Sequence, residues 1–526
     1  MADTPVEDDL ATELDTEDLE GAPALITGGL TPDIASPTID EPASDPVPAA
    51  RRGVIATVLN EPMWVLGLVI LMDEVDKNIV RGMITPLQQE FGVGDFAIGV
   101  LLACSLLISG IVTVPAGYLA DRWTRTRAIG GTVVVWSGIT ALGAAALSFP
   151  MLVGIRSALG FGQAITEPSA ASLIGDYYPP EARGKAFSIQ QVMVIAGGGI
   201  GIALGGGLSA LFSWRIGMLV AALPALGVAW LAFRLREPKR GTADLMAATG
   251  SGTVEHSDGS DQPPLFDQGF RQFVKDMVAG LREDMRTVLA IRTMRYACVG
   301  VAALLFTVTA ILAWLGPYYE RQLHFAQGQG EGIVGLLVLF GGVPGVLVGG
   351  RVADRWAPKM QGGRLALPAI FLFIGTTLFT AAYLFRAPAG VEEVTWSVAG
   401  PAIILQLFGV FVMTMSLPGL RAGLTDAIPA HLRGAGFGAF NLAAVIGGQA
   451  AAPIVVGAIS GAYGDNLRVA FLAVTPLSFL GAGILFRARR FLDEDMNKIM
   501  MAVLQAMQDE RDREAEKAAE QGLHPA

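Results

Sequence analysis

Residues Gly117–Arg127 read GYLADRWTRTR, and residues Gly350–Trp356 read GRVADRW. Each stretch is short and charged and lies between two long apolar runs. A second pair repeats in the same order. Asp176–Gly184 reads DYYPPEARG, and Asp426–Gly434 reads DAIPAHLRG. Two independent matches, each at a corresponding loop, indicate a chain built from two parallel, gene-duplicated halves.

The apolar runs fit this division. Six fall at about 62–87, 95–121, 127–147, 149–176, 185–212 and 214–235, and six more at about 293–319, 330–354, 364–386, 398–427, 434–460 and 466–486. Each is long enough to cross a hydrocarbon layer as a helix. The expected fold is therefore an all-α membrane protein of 12 transmembrane helices in two six-helix bundles. The expected divisions are a disordered acidic N-terminal tail over 1–55, a first bundle over 56–236, a cytoplasmic linker over 237–290, a second bundle over 291–488 and a charged C-terminal tail over 489–526. Within the linker, Phe270, Phe273, Val274, Met277, Val278 and Leu281 share one face, so an amphipathic helix is expected over 266–289.

Charge placement gives the orientation. Arg122, Arg125 and Arg127, Arg183 and Lys185, Arg234 through Arg240, Arg351 through Arg364, and Arg487 through Arg490 cluster in alternate loops. The opposite loops carry single arginines, Arg215, Arg321, Arg386 and Arg468. The positive-inside rule places both termini and the linker in the cytoplasm of a plasma (inner) membrane protein.

Composition excludes several classes. The chain has 526 residues, 52% hydrophobic and 16% charged, with mean hydropathy +0.50. That is a polytopic membrane protein. The formal net charge of −11 reflects the acidic tail and does not point to nucleic acid. Two cysteines, Cys104 and Cys298, give no disulfide framework, and four histidines fall in loops or tails. No basic-then-apolar leader is expected at the N-terminus. There is no phosphate-binding glycine loop, nucleophile–histidine arrangement or metal spacing. No enzyme activity, catalytic residue, cofactor or metal is expected.

The loop G-x-L-A-D-R-x-x-R-x-R resembles the signature loop of the major facilitator superfamily. The resemblance extends over about 62–486 and implies two bundles that rock about a central cavity. It implies that Asp121 pairs with helix-end charges across the bundle interface. Asp121, Arg122 and Arg125 match it in the first half, Asp354 and Arg355 in the second. With Arg183 and Arg433 of the second repeat pair, these form the expected gating set. Thr124 departs from the usual Gly. A finer resemblance is to Spinster-like members. Met72-Asp73 through Asp76-Lys77, Arg156 followed by GFGQA, and REPKRG from Arg236 are similar to motifs of that group, with Lys77 in place of Arg and Gln163 in place of Glu. This implies transport of a lysolipid or sphingoid-type amphiphile, linked to protons.

The residues themselves point the same way. The first span contains LMDEVDKNIVR, Leu71–Arg81. Each charge at a bilayer centre costs roughly 2.5–3.5 kcal/mol, so Asp73, Glu74, Asp76, Lys77 and Arg81 must face protein or a wet cavity. Asp73 and Lys77 are an i, i+4 pair. Arg156 and Glu167, about three turns apart on one face of the fourth span, are expected to meet Asp76 and Lys77. The expected proton-coupling and substrate set is Asp73, Asp76, Lys77, Arg81, Arg156 and Glu167. An acid there takes up and releases a proton, and a neighbouring cation is counter-charge in one state and head-group site in the other. Cargo and proton thus contend for the same charges.

Gly197–Gly207, GGGIGIALGGG, suggests close helix packing. The second half has no acid in mid-span. It offers Phe306, Trp314, Tyr318, Phe340, Met413, Met415 and Phe440, either as cavity lining for an apolar chain or as ordinary core. The function that fits is a secondary active transporter, with lipid bilayer, an amphiphilic or small-molecule substrate and protons as partners, and a monomer is expected. Two alternatives remain at this level: a multidrug or small-metabolite efflux antiporter, and a non-transporting receptor or scaffold.

Overall fold

The computed structural model describes residues 61–120, 124–239, 270–386, 396–428, 438 and 440–520. Asp121, Arg122, Arg433, the acidic tail and most of the linker lie outside the described residues. The rest is almost wholly helical.

The first half comprises α1 (Pro62–Ile79), a 3₁₀ turn (Val80–Met83), α2 (Ile84–Phe91), α3 (Asp95–Ala120), α4 (Arg125–Gly143), α5 (Phe149–Tyr177), α6 (Pro180–Leu211) and α7 (Trp214–Arg234). Then come α8 (Phe270–Ala290), α9 (Arg292–Leu323), α10 (Gln329–Leu337), a π turn (Val338–Gly342), α11 (Val343–Trp356) and α12 (Gly363–Leu384). The chain closes with α13 (Trp396–Thr414), α14 (Ser416–Ala427), a second π turn (Ala444–Ala450), α15 (Ala451–Ala462) and α16 (Leu467–Glu520).

Among the described residues, nine segments are long and apolar enough to cross a membrane. The helices of the first, third and fourth expected spans, α1–α2, α4 and α5, are not among the nine. The first of these carries the five charges of Leu71–Arg81, and its charged residues are turned to protein rather than to lipid. Local signals set several ends. Ser148 caps α5 by accepting from the Met151 amide, and α2 ends at Gly92 in the left-handed region, φ +62°. The last helix does not stop where the apolar run ends. Nothing between Arg487 and Glu520 is Gly or Pro, so α16 continues through the expected tail.

The glycine run of α6 is a two-sided packing surface. A Cβ at Gly197 or Gly201 would lie 2.6 Å from the carbonyl oxygen of Leu71 or Val75 on α1. On the other side, a Cβ at Gly199 would lie 3.0 Å from the Gly335 carbonyl of α10. Here α6 touches its own half and the other half at once, and only small residues allow that approach. Gly201→Leu must push α1 off α6. The expected result is loss of the folded monodisperse protein, read as a lowered thermal midpoint in detergent. Gly207→Leu, with open space around it, is the control and stays folded.

At the arginine-rich end, Arg125 closes the first half on itself. Its guanidinium is buried and pairs with Asp176, with Glu237 at 2.7 Å and with the Pro238 carbonyl at 3.1 Å. This joins α4, the end of α5 and the segment after α7. Arg125→Ala leaves the buried Glu237 without its cation, a change that typically costs about 3–5 kcal/mol. Thermal unfolding of the variant measures it.

The second-half aromatics sort into core and surface. Phe306, Trp314, Tyr318, Met413 and Met415 are buried. Tyr318 packs edge-on against Tyr383 and Phe471. These five are helix packing and Phe440 is half-buried against the same core, whereas Phe340 is exposed.

Candidate functional site

The charges of α1 divide into two groups. Asp73 binds the Lys77 ammonium at 2.5 Å, and Lys77 also reaches Glu74 at 3.1 Å. Glu74 accepts from the Asn78 amide at 3.2 Å, and Asn78 in turn accepts from Arg81. This chain runs along one face of α1, as i, i+3 and i, i+4 spacing allows. Oδ1 of Asp73 is buried with no partner. Glu167 on α5 is a charge neighbour of Lys77.

Asp76 turns instead toward α4 and α5. Its carboxylate accepts from the Thr140 hydroxyl at 2.6 Å and from the Gln163 amide at 3.3 Å. Arg156 stands 3.6 Å from Oδ1 and donates to the Asp76 backbone carbonyl at 3.0 Å. Asp76 and Arg156 are both buried, at 4% and 3% exposure. A buried acid and base that touch hold each other's charge, and either one is costly without the other. The Arg156 Nη1 atom has no hydrogen bond of its own.

The structure thus brings together Asp73, Asp76, Lys77, Arg81, Arg156 and Glu167 on α1 and α5. Glu74, Thr140 and Gln163 join them. Gln163 keeps hydrogen-bond contact with Asp76 as an uncharged donor. Nothing in the spacing marks Thr140, because a lone Thr in an apolar helix commonly bonds its own backbone.

Of the gating set, Arg125 has its described partners within the first half, as given above. Arg183 donates to the Tyr178 and Gly175 carbonyls at 2.9 and 2.6 Å, closing the end of α5. Asp354 and Arg355 are exposed at the end of α11.

A cross-half contact occurs at the opposite end. Arg321 at the end of α9 holds Asp95 at the start of α3 with two hydrogen bonds, 2.8 and 2.9 Å, and donates to Gln88 at 2.8 Å. Gln88 donates to Asp95 at 2.7 Å. Thr85 donates to Glu320 at 2.5 Å. The cross-half partners lie 226 to 235 positions apart, so no local pattern could announce them. Among the described residues no cluster suits a metal ion.

Comparison with known proteins agrees with this geometry. The family model of the Major Facilitator Superfamily matches residues 66–451. Protein spinster of Drosophila melanogaster is 25% identical over 330 residues, covering 61% of this chain and 50% of spinster. The chain thus spans half the length of that relative. The sphingosine-1-phosphate transporter SPNS2 of Mus musculus is 25% identical over 311 residues, 56% of this chain and 51% of that protein. The crystal structure of a bacterial homolog of the human lysosomal transporter Spinster, inward-facing and unoccupied, superposes with a TM-score of 0.66 at 20% identity, covering 83% of this chain and 98% of that one. Two matched halves, charged residues buried between helices and a family match across most of the chain have one reading: this chain is a multi-pass membrane protein that belongs to the Major Facilitator Superfamily of transporters.

Proposed function

We propose that this chain is a proton-linked secondary transporter of an amphiphile with an anionic head group, of the lysophospholipid or sphingoid-phosphate type, in the plasma (inner) membrane. One observation carries the reading. Asp76 and Arg156, both buried, hold each other 3.6 Å apart, with Lys77 next to Asp76 on α1 and Arg81 in the 3₁₀ turn that follows. The relative named as a sphingosine-1-phosphate transporter supports the cargo class.

The coupling follows from charge balance. With Asp76 ionised, Arg156 is its counter-ion. An anionic head group that takes Arg156 leaves Asp76 unpaired, and a proton then neutralises it. Head group and carboxylate, rather than head group and proton as the sequence suggested, thus contend for Arg156, so head group and proton enter together and head-group affinity rises as pH falls. The contacts between halves, Asp95 with Arg321 and Gly206 against Glu331, sit at the end opposite the arginine-rich loops. With those loops cytoplasmic, the outer end is closed and the chain faces inward. Asp121, Arg122, Asp354, Arg355, Arg183 and Arg433 then serve the inner gate, which forms when the halves rock the other way.

The test is purified protein in liposomes under an imposed pH gradient, with a labelled lysophospholipid, a labelled sphingoid phosphate and a cationic dye in parallel. The expected result is gradient-dependent movement of an anionic amphiphile. Movement of the dye alone replaces this reading with drug efflux, and movement of none of them removes the cargo class.

A further inference from the structure

Glu331, the third residue of α10, is wedged between the two halves and is 1% exposed. A Cβ on Gly206 of α6 would collide with its Cβ and come within 2.9 Å of its Cγ. A Cβ on Gly316 of α9 would lie 2.8 Å from Oε1. Its Oε2 is buried with no hydrogen-bond partner.

The surrounding charges do not neutralise it. α9 presents Glu320, whose carboxyl is its direct neighbour. It also presents Arg321, committed to Asp95 and Gln88, and Tyr319, whose hydroxyl is bound to Gln406. Along this contact α6 presents Gly199, Ala203, Gly206 and Ala210, none of them titratable. α10 itself carries no base, and His324 stands in the loop before it. Glu320 has its own support from the Thr85 hydroxyl at 2.5 Å and the Gly328 amide at 3.1 Å. Among the described residues Glu331 has no cation within ion-pair distance.

An unpaired buried carboxylate costs several kcal/mol and is avoided by taking a proton. Two adjacent carboxyls do not both ionise without compensation, so the Glu331–Glu320 pair keeps a proton while it is buried. The face that covers Glu331 is the Gly206 face of α6, so parting of the halves uncovers it to water. We propose that Glu331 is a second proton-binding site of the transporter, protonated when the outer ends close over it and ionised when they open.

The closed form then holds one more proton than the open form. Falling pH favours closure, by at most about tenfold in the closed-to-open ratio per pH unit. The site is separate from Asp76 and is read without cargo.

The experiment places spin labels at Leu147→Cys in the first half and Tyr463→Cys in the second, with Cys104→Ala and Cys298→Ala. Both labelled positions are exposed. Distances are measured at about pH 5.5 and about pH 8. The expected result is a longer-distance population that grows at the higher pH and is absent in Glu331→Gln. An Asp76→Asn background separates the two sites, and the response is expected to survive it. A pH response unchanged in Glu331→Gln overturns the proposal.

Discussion

Asp76→Asn is expected to abolish accumulation of cargo against its gradient, by at least about tenfold, while leaving slow movement down the gradient. The substitution keeps the shape of the side chain and its hydrogen bond with Thr140, but it removes the carboxylate that faces Arg156. An imposed pH gradient then has nothing to act on at this site. Arg156→Gln is expected to fail differently. It leaves Asp76 able to take a proton but removes the head-group cation, so both uptake and downhill exchange fall. Parallel transport assays of the two variants separate coupling from binding. Equal behaviour of Asp76→Asn and the unaltered chain under a pH gradient contradicts the assignment.

The second large effect is expected at the outer end. Arg321 and Asp95 form a two-pronged, charge-assisted contact, side-chain exposure 23% and 0%, reinforced by Gln88. Hydrogen bonds to charged groups are worth about 1.5–3 kcal/mol each, and every 1.4 kcal/mol is about tenfold in an equilibrium. Asp95→Asn or Arg321→Gln should therefore move the closed-to-open ratio toward open by about ten- to a hundredfold. Spin-label distances between Leu147→Cys and Tyr463→Cys measure it. Transport should slow in these variants, because the chain dwells outward-facing. An unchanged distance distribution shows that the latch does not govern this end.

Sequence and structure agree where the physics is local. The paired loops Gly117–Arg127 and Gly350–Trp356 announced two halves. The charges of Leu71–Arg81 had to be buried among helices because lipid excludes them, and Asp73–Lys77 sits at the spacing its pair requires. The Gly197–Gly207 run pointed to close packing, though not to its two partners. Illegible features are those made by long-range pairing. Arg125 with Glu237 joins residues 112 positions apart, and Arg321 with Asp95 twice that distance. Glu331 was overlooked because it stands at the start of a span, where an acid usually faces water or caps a helix. Only the approach of Gly206 from the other half buries it. Thr140 and Gln163 carry no charge, so their contact with Asp76 is visible only once α4 and α5 are set beside α1. The extension of α16 was legible as well: DEDMNKIMMAVLQAMQDERDREAEKAAE is a charged helix former with an early apolar stripe and no Gly or Pro.

The central claim is that head group and proton enter together at Asp76 and Arg156. The most direct test titrates lysophospholipid into detergent-solubilised protein in weakly buffered solution and counts protons with a pH indicator. Linkage predicts an uptake of about one proton per molecule bound, lost in Asp76→Asn. Binding with no proton uptake, or with proton release, contradicts the account.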